Sequence, residues 1–192
     1  MKKFVWILLM VCLTKAGYAQ GLDQTVLEAV IQKVQVFCHY TEQVGSCSEL
    51  TSQEIQRICK EEISRLFVND KTCYLITYKG TSSPVKRLVS SYIQNLANQR
   101  HAGGRVHMLK MSVNKQTLKQ KLVEEKDSIE TYIVEVEVPQ ALTISQKDGS
   151  NKQVKQSTMY VNVEIEKKND NIISMGLGDI RQVLRLNQTM TE

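Results

Sequence analysis

Apolar positions along the chain follow two different spacings, and the change comes near residue 105. Leu27, Val30, Ile31, Val34, Phe37 and Cys38 recur at three- and four-residue intervals behind Thr25-x-x-Glu28, which has the form of a capping box and predicts a first helix over 26–41. Residues 45–50 read as a loop. Thr51-x-x-Glu54 repeats the box and leads into Ile55, Ile58, Cys59, Ile63, Leu66 and Phe67, a second helix that stops at Asn69-Asp70. Residues 72–78 are too short for a helix and rich in aromatic and β-branched side chains, hence a strand. Ser83 then caps a third helix with Pro84 at its first position, where a missing N–H costs nothing. Val85, Leu88, Val89, Tyr92, Ile93 and Leu96 form its apolar face, and Gly103-Gly104 ends it.

Beyond Arg105 the spacing is two. Leu109, Met111 and Val113 alternate as a strand, whereas 114–130 fits either a hairpin arm or a short helix and is left unassigned. Tyr132, Val134, Val136 and Val138 alternate with Thr131, Ile133, Glu135 and Glu137; Met159, Val161, Val163 and Ile165 alternate with Tyr160, Asn162, Glu164 and Glu166. Asp148-Gly149 between these strands is a turn signal. As a two-residue loop it makes Lys147 face Ser150, and so sets Val136 opposite Val161 and Val134 opposite Val163. A slip of one residue would send the two apolar faces to opposite sides. Pro139 cannot donate to a ladder, which predicts a bulge or bend. Residues 168–171 make a second turn, and Ile173, Met175 and Leu177 open a last strand reaching about Val183. Gly176 and Gly178 let it bend or let a neighbour approach closely.

Helices first and strands after imply an α+β domain: three N-terminal helices packed on a strongly curved, mostly antiparallel sheet. The order of elements, the long third helix ending at Gly103-Gly104 and the two strands joined at Asp148-Gly149 resemble the nuclear-transport-factor-like fold, the cystatin-like cone, over about residues 22–186. The resemblance implies a pocket between helices and sheet. It also implies functions that range from steroid isomerases and dehydratases to secretion-system subunits and non-enzymatic binding modules, so it selects none of them.

The N-terminus adds an address. Lys2-Lys3, the apolar run 4–13 and the small residues Gly17 and Ala19 make a secretory signal peptide of bacterial form, residues 1–19, whose removal leaves Gln20 first. The run is far shorter than the roughly 20 residues that span a bilayer. Cys12 sits inside it behind Val11, outside the pattern for lipid attachment. The expectation is an exported protein, periplasmic or secreted, with one domain over 20–192. The 25 basic residues less Lys2, Lys3 and Lys15 of the leader leave 22 against 20 acids, a near balance that does not fit a nucleic-acid binder. No later segment is apolar enough to span a membrane.

Cys12 leaves with the leader, and Cys38, Cys47, Cys59 and Cys73 remain. In an oxidising compartment an even set of four suggests disulfides, and antiparallel packing of the first two helices favours Cys38–Cys47 with Cys59–Cys73; the other reading keeps them as reduced core thiols. No CxxC pair or histidine cluster accompanies them, so neither a metal nor a cofactor is expected. Tyr40, beside His39, together with Tyr92 and Tyr132 are the candidate pocket residues, and they equally suit a core in which each hydroxyl is bonded. His101 and His107 flank the glycine pair and read as surface groups. Glu135, Glu137, Glu164 and Glu166 line the polar sheet face, a candidate interaction surface for a basic partner, a cation or a second copy of the chain. The steroid isomerases that the fold resemblance brings in carry a carboxylate inside the cone, and these strands have none facing inward. The expected function is therefore a non-catalytic binding or interaction module that holds a small ligand or protein partner in the cone pocket or on the sheet face. The alternative is a small isomerase or dehydratase using His39, Tyr40 or Tyr92.

Overall fold

Asp23, not Thr25, starts the first helix: its carboxylate accepts from the Val26 N–H at 2.8 Å, so α1 spans Gln24–Gly45 in this computed structural model. The structure describes residues 21–46, 50–78, 84–100, 104–184 and 190–191. The expected leader, Cys47, Ser83, His101 and Gly103 lie outside them. The second helix begins as expected at Thr51, whose Oγ1 accepts from the Glu54 N–H at 3.2 Å while its own N–H donates to Glu54 Oε2 at 2.7 Å. Its α form is short. After α2 (Ser52–Arg57) the backbone widens into a π-helical segment, Ile58–Ile63, then tightens into a 3₁₀ turn, Ser64–Leu66.

The third helix starts later than its apolar stripe suggests. Val85–Leu88 form a strand, β2, antiparallel to β1 (Cys73–Tyr78), and α3 is Val89–Gln99. One edge of β1 pairs with the last long strand, and β2 satisfies the backbone groups of the other. Val85 and Leu88, on the helical stripe by spacing, end up 42% and 46% exposed.

The remaining strands are β3 (Arg105–Met111), β4 (Asn114–Lys126), β5 (Ile129–Gln146), β6 (Gln153–Lys168), β7 (Asn171–Leu184) and the short β8 (Met190–Thr191) on β6. They run in the order β2-β1-β7-β6-β5-β3, with β4 on the other half of the β5 edge; β1 and β7 are parallel and the rest antiparallel. The expected register of β5 with β6 is present along both strands, with Val136 opposite Val161 and Val134 opposite Val163. The turn between them is wider than two residues. Gln146 N–H donates to Ser150 O at 2.9 Å, and positive φ falls on Gly149 and Asn151.

Pro139 makes no bulge in this ladder, since it faces Thr158 in register. It sits instead where the other edge of β5 changes neighbour, between Glu137 on β4 and Gln140 on β3, and its carbonyl accepts from Ser112 N–H at 3.0 Å. The stretch unassigned from sequence is the hairpin arm β4, turned at Asp127-Ser128 with φ 53° and 64°. Both central residues are left-handed, as a tight hairpin requires. Asn169-Asp170 does the same between β6 and β7.

Opposite Asn162, β7 carries a bulge at Gly178-Asp179: Val163 faces Leu177 and Val161 faces Ile180. A Cβ on Gly176 would lie 2.6 Å from Val68 Cγ1 and 2.9 Å from Val68 N, so this glycine admits the backbone of residues 67–68, whose Val68 N–H bonds Leu177 O at 2.9 Å.

All three helices pack on one face of this curled sheet. Val30, Val34 and Phe37 of α1 meet Val134, Val136, Met159, Val161, Leu177 and Ile180, every one fully buried, in a single core. Each such side chain contributes about 1.5–3 kcal/mol by leaving water. No helix among the described residues is long and apolar enough to cross a membrane.

Candidate functional site

The inner stripe of the sheet ends in polar residues. On β5 the buried positions run Tyr132, Val134, Val136, Val138 and then Gln140; on β6 they run Ile165, Val163, Val161 and Met159, followed by the half-buried Ser157, directly opposite Gln140. Gln140 Nε2 donates to Ser157 Oγ at 2.9 Å, and Gln182 Nε2 donates to the same oxygen at 2.9 Å. The Tyr74 hydroxyl donates to Gln182 Oε1. Tyr74 in turn stacks on Tyr92 of α3, ring centroids 3.8 Å apart and planes 12° from parallel. Gln182 reaches this face because the β7 bulge moves the inward set from Met175 and Leu177 to Ile180 and Gln182. Strands β1, β5, β6 and β7 and helix α3 thus bring five uncharged polar side chains into one run.

That run has a loose end. Gln140 Oε1 is buried, in a residue only 8% exposed, and has no hydrogen-bond partner among the described residues. Turning the amide over would satisfy the oxygen from Ser157 and leave the nitrogen alone instead, so one half of the amide stays unpaired either way. Such a group costs about 1–3 kcal/mol and is uncommon in folded proteins. Gln140 and Ser157 line a hollow of about 730 Å³, with Met111, Pro139, Thr158 and Tyr160 among its other walls. Burial pushes the Tyr92 hydroxyl up to about 12. Amides and hydroxyls in this arrangement can orient a ligand by hydrogen bonds.

Of the tyrosines singled out in the sequence, Tyr92 belongs to this run and the other two stand apart. Tyr40 donates to Glu62 Oε2 at 3.5 Å beside the π-helical segment. Tyr132 donates to Glu130 Oε2 at 2.9 Å, and its burial, that hydrogen bond and the charges of Glu130, Glu125 and Asp170 push its hydroxyl up to about 12. Tyr74 is level with Ile180, Val161 and Val136, so Tyr132 lies about 13 Å along the strands and three strands across from it. His39 is exposed and within 3.2 Å of Gln43 Nε2. Tyr74, Gln140, Ser157 and Gln182 were missed in the sequence. The available signal was the parity of β5 and β6, which carries Gln140 and Ser157 onto the apolar face once it is continued past Pro139.

The four glutamates do share the outer sheet face, but basic residues are interleaved with them. Glu135 is held between Lys119 at 3.4 Å and Arg181 at 3.0 Å, and Arg181 lies 4.2 Å over the Tyr160 ring. Glu137 faces Tyr160 across the ladder. Glu166 accepts from the Ser174 hydroxyl at 2.9 Å. Burial, then Asp179 and Glu166, raise the pKa of Glu164.

The expected disulfide Cys59–Cys73 is not formed. Cys38, Cys59 and Cys73 are free thiols, Cys38 with its pKa pushed up to about 12 by burial and by Glu42. Tyr74 points into the core beneath the helices; its neighbour Cys73 therefore lies on the other side of β1 from the helix layer that holds Cys59. Its Sγ donates to Lys71 O at 3.3 Å. Cys47, the expected partner of Cys38, lies outside the described residues. Among the described residues no group of three or more His, Cys, Asp or Glu could hold a metal ion.

No protein-family model and no curated protein matches the sequence. Solved structures match it over most of its length. Naphthalene 1,2-dioxygenase with indole bound in the active site is 6% identical over 90% of this chain and 86% of that one, with a TM-score of 0.48. A nuclear transport factor 2-like superfamily protein from Salmonella enterica serovar Typhimurium is 10% identical over 88% and 96%, with a TM-score of 0.47. A hexachlorocyclohexane dehydrochlorinase is 10% identical over 85% and 90%, with a TM-score of 0.41. Likeness at this level says nothing of activity. The chain's own architecture, three helices on one face of a strongly curled mixed sheet, is the α+β cone expected from the sequence.

Proposed function

We propose that this chain is an exported, non-catalytic binding module that holds a neutral, hydrogen-bonding ligand, amide- or sugar-like, at Gln140. The observation that carries this reading is the buried, half-unpaired Gln140 amide at the end of an uncharged network, on the wall of a hollow large enough for a small molecule. The network supports binding because it is uncharged and built of amides and hydroxyls, which orient a neutral ligand by hydrogen bonds. For the alternative, an isomerase or dehydratase, the residues named from the sequence are dispersed: Tyr40 bonds Glu62, His39 is at the surface, and Tyr92 is stacked on Tyr74.

Export rests on the N-terminal pattern. Intact mass of the exported form should correspond to a start at Gln20, with the tryptophan signal lost because Trp6 is the single tryptophan in the sequence. Binding is tested by calorimetric titration with neutral sugars and amides, N-acetylglucosamine first. Saturable heat in the wild type that vanishes in Gln140→Leu supports the reading; equal binding by both proteins opposes it.

A further inference from the structure

We propose that the helix layer contains a second binding pocket, between the π-helical segment and the start of α3, that takes a compact apolar ring compound bearing one neutral polar group. A cavity of about 370 Å³ lies there, within the roughly 300–1,000 Å³ range of small-molecule sites. Ile63, Phe67, Val89 and Ile93 make its walls apolar, and Lys60 and Asp70 stand at its rim. Opposite charges at the rim give no advantage to an ion of either sign, whereas a hydroxyl or carbonyl can bond to either group. A ring fits the interior because flat, rigid molecules fill such a space with little loss of conformational freedom.

The backbone carries a second mark of this site. Ile58–Ile63 adopt π-helical geometry although the capping box at Thr51 starts a regular α-helix, and π turns are rare and recur at functional sites. Three residues of the π segment, Cys59, Lys60 and Ile63, border the cavity, and the Ser64 hydroxyl ties the segment back to Lys60 O. The pocket shares no lining residue with the hollow at Gln140, so its occupancy is independent of the function proposed above. Cys59 supplies a reporter: it is half-buried on the cavity wall, while Cys38 and Cys73 are buried.

The probe is 2-naphthol, which emits as the naphtholate in water and as the neutral naphthol when shielded from it. Titration of the full chain should give saturable one-site binding with a shift to naphthol emission, and bound probe should slow alkylation of Cys59 by N-ethylmaleimide, located by peptide mass spectrometry in a Cys47→Ser background. Ser90→Trp and Ser64→Trp, two exposed positions on opposite lips, should each weaken binding by about tenfold or more, while Gln140→Leu should leave it unchanged. Circular dichroism identifies which tryptophan variant is folded and therefore informative. Absence of saturable binding, or undiminished binding in a folded variant of either serine, would overturn the proposal.

Discussion

Replacing Gln140 by leucine should make the protein more stable, which is the reverse of what losing a buried hydrogen bond usually does. The substitution removes the bond from Gln140 Nε2 to Ser157, worth about 0.5–1.5 kcal/mol net, and leaves Ser157 its bond from Gln182. It also removes an unpaired buried amide group whose desolvation costs about 1–3 kcal/mol, and places an apolar side chain beside Val138 and Met159. The balance is a gain of about 1 kcal/mol, or roughly 2–4 °C in Tm for a chain of this size. Gln182→Leu is the matched control. Both polar ends of Gln182 are used, by Tyr74 and by Ser157, so its loss should cost about 1–3 kcal/mol. Urea unfolding followed by circular dichroism compares the two variants with the wild type. If Gln140→Leu is destabilised as much as Gln182→Leu, the amide of Gln140 is fully paired in the folded protein and the reasoning fails.

Gly176→Ala should lose about 1–3 kcal/mol, because its methyl meets the backbone of Val68, whereas Gly178→Ala should lose less, because the end of the Glu164 side chain can move aside; urea midpoints order the two. Alkylation without prior reduction should label Cys38, Cys59 and Cys73 in the denatured chain, and a linked Cys59–Cys73 peptide would contradict the structure. Glu164 binds its proton more tightly in the folded chain than its ordinary pKa of 4.5 implies, so its contribution is full below that pH and is lost as pH rises through the raised value. Glu164→Gln should therefore raise Tm at pH 7, and the gain should disappear below about pH 4.5.

Local signals read correctly wherever one period ran unbroken. The alternation of 131–138 with 159–166, and the turn between them, sufficed for the register of β5 on β6, because only one pairing puts both apolar sets on the same side. The start of α3 misled for a related reason: Val85, Leu88, Val89 and Tyr92 keep helical spacing across a boundary set by the need of β1 for an edge partner. Asp127-Ser128 contains no glycine, so the hairpin that defines β4 had a weak turn signature. The site was hidden differently. Tyr74 and Gln182 meet across 108 residues of sequence, and Gln182 faces inward only because a bulge at Gly178-Asp179 changes the parity of β7. Gln140 and Ser157 were within reach of the alternation rule, which Pro139 interrupted in the reading but not in the strand.

The central claim is that the Gln140 amide is a ligand contact, and side-chain amide NMR observes that group itself. The NH₂ signals of Gln140 and Gln182 can be assigned by their loss in the two leucine variants, then followed while neutral sugars and amides are added. The account predicts a compound that shifts both pairs saturably and leaves amide signals on the outer sheet face in place. If no compound of the set moves the Gln140 pair, or one binds and moves signals elsewhere, the claim is contradicted.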